Sequence, residues 1–92
     1  MDVKTAIDSW LQIRYVAQAR PDDSAAKKTY DFFETILTED FGVSDLTIRA
    51  YGEEDAYITV DYVVAGEKAS MTFDRERIEQ LLADIEANPK YQ

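Results

Sequence analysis

The sequence predicts an α+β fold: two layers in α-α-β-β-β-α order, with a three-stranded antiparallel meander carrying helices packed on one face. Three observations carry this. Apolar residues recur at helical spacing in the first 41 residues and again after Asp74, and they alternate with a period of two between Leu46 and Phe73. Pro21, Gly42, Gly52, Gly66 and Pro89 fall at the joints between these runs. Helices and strands of this kind each have one apolar face, and layering them buries those faces together.

The first helix begins at Asp2, a residue suited to capping, and runs to Pro21. Val3, Ala6, Ile7, Trp10, Leu11, Ile13 and Ala17 form its expected buried face, with Thr5, Asp8, Ser9, Gln12 and Val16 opposite. Asp22, Asp23 and Ser24 offer caps for a second helix. Its expected buried face is Ala25, Ala26, Phe32, Phe33, Ile36, Leu37 and Phe41, with Tyr30 at the border and Gly42 just past the end. A third helix starts after Asp74, with Phe73 and Ile78 spaced as a hydrophobic staple. Ile78, Leu81, Leu82 and Ile85 form its stripe, and Asn88-Pro89 ends it.

Between them, LTIRAY, YITVDYVV and KASMTF each alternate inward and outward residues. A two-residue turn at Gly66-Glu67 would pair Val64 with Ala69, Tyr62 with Met71 and Val60 with Phe73. In the first hairpin, pairing Ala50 with Ile58 and Ile48 with Val60 requires an odd loop unless a bulge intervenes. A three-residue tip of Glu53, Glu54 and Asp55 meets that condition, as does a five-residue loop from Gly52 to Ala56, and either way Tyr51 faces Tyr57 on the outer surface. The outer face would display Thr47, Arg49, Tyr51, Tyr57, Thr59, Asp61, Val63, Ser70 and Thr72.

With 92 residues and a 46% apolar share, the chain suits one domain, residues 1–92, with a single core. It contains no cysteine and no histidine, which removes disulfides, thiolate and imidazole metal sites, and the Ser-His and Cys-His nucleophile pairs. The three glycines are all spent on turns and caps, so no phosphate cradle exists, and no calcium-loop pattern is present. A carboxylate pair is the remaining catalytic option, but a turn tip keeps its acids hydrated and ionised. The expectation is therefore a non-enzyme without a cofactor. The start, MDVKTAIDSWLQIRYV, lacks the pattern of a signal peptide, no run is long and apolar enough to span a membrane, and a cytoplasmic location is expected.

The net charge is −9, and it sits in the middle of the chain. Residues 22–45 carry seven acidic and two basic side chains, and residues 46–74 carry six and two. Such a balance disfavours direct contact with nucleic acid or anionic lipid and permits a basic protein partner, while also serving solubility. Lys4–Asp8, Lys27–Asp31 and Arg75–Glu79 have the spacing of helical ion pairs. Asp22, Asp23, Glu39, Asp40 and Asp45 have no such local partner. The candidate partner-binding residues are Asp22, Asp23, Glu39, Asp40, Tyr51, Glu53, Glu54, Asp55, Tyr57 and Asp61. The acids could imitate a phosphate track if they stood about 6–7 Å apart on one face. The tyrosines would add contact area. A solvated turn and an ordinary cross-strand tyrosine pair explain the same residues without any partner.

In length, acidity and small α+β build the chain resembles small inhibitor proteins of phage and mobile elements, including antirestriction and anti-CRISPR proteins and nucleic-acid mimics. The resemblance rests on those general features and transfers no residue. It implies an inhibitor occupying the nucleic-acid-binding groove of a basic enzyme. The alternatives are a structural or oligomeric small subunit, monomeric or homodimeric, and a toxin-immunity protein, with acidity serving solubility alone.

Overall fold

The computed structural model describes residues 2–49 and 56–87. Their order is α1 (Val3–Ala19), α2 (Ser24–Thr35), a π-helical turn (Ile36–Asp40), β1 (Val43–Arg49), β2 (Tyr57–Val64), β3 (Glu67–Asp74) and α3 (Arg75–Ala87). The strands form an antiparallel meander in the order β1-β2-β3.

Each helix starts on an aspartate that satisfies a backbone donor left open by helix geometry. Asp2 Oδ1 accepts from the Thr5 N–H at 2.8 Å, Asp23 Oδ1 from Ala26 at 3.0 Å, and Asp74 Oδ1 from Glu76 at 3.0 Å. Of the three caps offered before α2, Asp23 is the one used. Gly42 follows the π-helical turn at φ +66°, a conformation that costs other residues strain. The Asn88-Pro89 stop lies outside the described residues.

The main core joins Ala6, Ile7, Trp10 and Leu11 of α1 to Leu37, Val43, Ile58, Val60, Tyr62, Phe73 and Ile78. A second cluster, Ile13, Val16, Ala26, Leu82 and Ile85, fills the junction of the three helices. Val16, expected on the open side, is fully buried there. The reason is that α1 packs against α2 and α3 on separate flanks, so it hides a wider arc than one stripe. Trp10 stacks on Tyr30, ring centroids 6.2 Å apart, and its buried N–H meets no acceptor among the described residues.

Helix α2 departs most from expectation. Its inward line is buried Ala26 with half-buried Tyr30 and Phe33, continued by Leu37 of the following turn, whereas Ala25 is exposed and Phe32 stands 61% exposed. Neighbouring residues on a helix point about 100° apart, so two consecutive phenylalanines cannot share a narrow stripe. Phe33 turns toward the core, and Phe32 meets it edge-on at 5.7 Å. The wide turn that follows buries Leu37 and carries Thr38, Glu39 and Asp40 outward.

The second hairpin keeps the expected parity and shifts by two residues. Val64 pairs with Glu67, Tyr62 with Ala69, Val60 with Met71 and Ile58 with Phe73. Ala65 and Gly66 form the turn, both with positive φ (53° and 79°), as a type I′ turn requires. This turn matches strand twist, and the register it sets places Phe73 opposite Ile58 in the core, at the cost of strain at Ala65. That strain predicts a gain: Ala65→Asn should stabilise the protein by about 1 kcal/mol, raising the melting temperature by about 4–8 °C. In the first hairpin Ile48 pairs with Val60 as expected, and the Ala50–Ile58 pair lies outside the described residues. A bulge between Ser44 and Thr47, with Asp45 at φ 54°, lets both Val43 and Leu46 turn inward.

Candidate functional site

The expected site residues separate onto three surfaces. Tyr57 and Asp61 lie on the outer face of the sheet, which the helices leave open. Asp22 and Asp23 lie at the α1–α2 turn, and Glu39 and Asp40 at the far end of α2. Tyr51, Glu53, Glu54 and Asp55 lie outside the described residues, and so does the Tyr51–Tyr57 pairing.

Two of these acids are committed to local structure. Asp61 holds Arg49 through Oδ2 to Nε at 3.0 Å and Oδ1 to Nη2 at 3.2 Å, and it accepts the Ser70 hydroxyl at 2.6 Å. The Ser70 hydrogen bond, and then Arg49, hold its carboxyl below the ordinary value of 3.8. Asp23 caps α2 and pairs with Arg20 at 3.3 Å. Its carboxyl is likewise held low, first by the Ala26 N–H and then by Arg20, and that of Asp2 is held low by Thr5. A carboxyl lowered on folding stabilises the native state above its unfolded pKa, and the benefit disappears as pH falls through the folded value. Melting temperature should therefore decline below about pH 4, and Asp61→Asn should make the decline shallower. An unchanged acid limb in that variant would contradict the assignment.

The i,i+4 pairs are also redistributed. Arg75–Glu79 closes at 2.7 Å, but Asp8 binds Arg77 of α3 at 2.7 Å in place of Lys4, and Lys27–Asp31 does not close. The Arg77 contact crosses between helices, which sequence spacing alone does not reveal.

A further group of acids lies on α2 and the π-helical turn after it. Asp31, Glu34 and Glu39 line one hollow of about 370 Å³ with Thr35 and Thr38. The π-helical turn makes this possible, because its wider winding brings a residue five positions on back to the same face. Glu34 accepts the Tyr30 hydroxyl at 2.7 Å, while Asp31, Glu39 and Asp40 form no ion pair among the described residues. No lysine or arginine occurs between Lys28 and Arg49 in the chain, and the cations nearest Asp31 are Lys27 and Arg14, which share an adjoining hollow with it without closing an ion pair. Burial, and then the Glu34 hydrogen bond, raise the Tyr30 phenol above 10.0, so the pair stays intact at neutral pH.

Asp31 and Glu34 were not among the expected site residues. The sequence signal for them was the run without cations from 29 to 48, obscured by the apparent Lys27–Asp31 spacing. A larger hollow, about 720 Å³, follows the α1–α2 turn, but the Arg20 and Asp23 charges beside it already match each other. Among the described residues no three carboxylates converge as a metal ion would require, and no helix is long and apolar enough to cross a membrane. Comparison with protein-family models, curated proteins and solved structures returned no match.

Proposed function

We propose that the chain is a non-enzymatic, acidic protein-interaction domain whose partner is a basic protein. In its sharpest form it is an inhibitor that occupies the nucleic-acid-binding groove of a basic enzyme, as antirestriction and anti-CRISPR proteins do. The observation that carries this reading is the hollow lined by Asp31, Glu34 and Glu39, none of which forms an ion pair among the described residues. Helix neighbours three or four positions apart stand about 5–6 Å apart at Cβ. That is close to the repeat of a phosphate backbone, so a row of helix carboxylates can imitate one. Desolvated arginines and lysines of a groove would find carboxylate acceptors there that no ion pair engages.

The test is capture of partners from a native lysate followed by nucleic-acid competition. The reading expects a basic nucleic-acid enzyme that DNA or RNA displaces. Recovery of neutral proteins that nucleic acid leaves in place would overturn the inhibitor reading.

A second reading is favoured by one observation: Tyr57 stands 60% exposed on an uncovered sheet face. That face suits a homodimer interface, with acidity serving solubility. It predicts a salt-insensitive dimer in light scattering that Tyr57→Ser converts to monomer. A monomer at every salt concentration would exclude it.

A further inference from the structure

Phe32 is the feature that acidity does not explain. Among the described residues only it and Tyr57 are large apolar side chains left exposed. It stands in the last turn of the 12-residue α2, where its neighbour Phe33 already supplies the core contact. Its surroundings extend the apolar surface. Thr29 and Thr35 flank it at three residues on either side, and their hydroxyls donate to the carbonyls of Ala25 and Asp31 at 3.0 Å. With those hydroxyls engaged by the helix itself, the threonines offer methyl groups to a partner. Ala25 and half-buried Ile36 complete the line along the helix. Exposed Lys28, four positions before Phe32, is the one cation on this line, and Asp31, Glu39 and Asp40 border it, all exposed.

We infer that this face of α2 docks a cationic amphipathic helix of the partner, with Phe32 inserted among its apolar side chains and the flanking carboxylates meeting its lysines or arginines. The inference rests on the interaction reading above and deepens it: the partner element carries an apolar stripe as well as charge. Charge complementarity selects the occupant. A phenylalanine bordered by three carboxylates and one lysine fits an apolar stripe edged by cations, and the net negative border would repel an acidic or phosphorylated segment. An exposed line of small side chains around one aromatic, on a helix about 18 Å long, fits the ridges and grooves of another helix.

Two synthetic 14-residue helical peptides make the test, one of lysine and leucine with an amphipathic pattern, the other with every leucine replaced by serine. Binding is followed by amide shifts of the labelled protein and by calorimetry. The expected result is that the lysine–leucine peptide binds at least tenfold tighter, with shifts centred on residues 25–39. Phe32→Ser should reduce it to the level of the lysine–serine peptide without altering salt dependence, and Phe32→Leu should retain binding. If Phe32→Ser binds both peptides as the parent protein does, or the shifts centre on the sheet, the inference is overturned. Equal affinity for both peptides with shifts on α2 would remove the phenylalanine anchor and leave the acidic reading standing. Failure to bind either peptide would remove both.

Discussion

Leu37→Ala should destabilise the protein by about 3 kcal/mol, lowering its melting temperature by roughly 15–20 °C. Leu37 is fully buried where the π-helical turn leaves α2, and it lies in the main core with residues of α1 and β2. Truncation removes the methyl groups and leaves a cavity that helices joined to a sheet cannot close. A chain of this size has on the order of 5–14 kcal/mol in total, so the loss is a large fraction of it. The informative contrast lies five residues earlier. Phe32 is the bulkier side chain, yet Phe32→Ser should change stability by less than about 1 kcal/mol because most of the ring is already in water. Urea denaturation of the two variants measures both. A costly Phe32→Ser would mean that the ring is packed in solution, and it would remove the docking face with it.

The second large effect concerns association. Replacing Asp31, Glu39 and Asp40 by Asn, Gln and Asn keeps their shape and removes three charges from α2 and the turn that follows it. Long-range attraction acts before contact, so the change should appear in the association rate. A decline of about 10–100-fold at low salt is expected, with little change in dissociation. Phe32→Ser should do the reverse and accelerate dissociation, because a desolvated aromatic acts after docking. The same three substitutions should leave stability unharmed or slightly improved, since none of these carboxylates holds an ion-pair partner among the described residues.

Much of the architecture is legible in the sequence because it is specified locally. Asp2, Asp23 and Asp74 each precede a helix at capping distance, and a side chain reaching its own backbone needs no tertiary information. The alternation along Ile58, Val60 and Tyr62 likewise sets which face is inward, since strand parity leaves two choices. What could not be read depends on neighbours. Val16 is buried by a helix more than sixty residues away in the chain. The Ala65-Gly66 turn placed its positive-φ pair one residue earlier than a glycine-first turn would, which moved the register by two while preserving parity. Phe32 and Phe33 both satisfy a broad helical face on paper, and only the narrow contact of α2 chooses between them.

The site divides in the same way. The acidity of residues 22–45 was visible as composition, but composition does not say which acids are spoken for. Asp23 is engaged by a cap and Asp61 by Arg49 and Ser70 across the sheet, so neither offers a free charge. Asp31 and Glu34 join Glu39 because of a π-helical turn, and no residue pattern in ILTED announced its wider winding.

The account depends on the α2 face being where a basic partner meets this protein. The most direct measurement is the association rate of the captured partner from 0.05 to 0.5 M salt, for the parent and for the Asp31, Glu39, Asp40 triple variant. The parent should slow steeply as salt rises, and the variant should start slower and change little, so that the two converge at high salt. Identical rates for the two proteins throughout the series would contradict it.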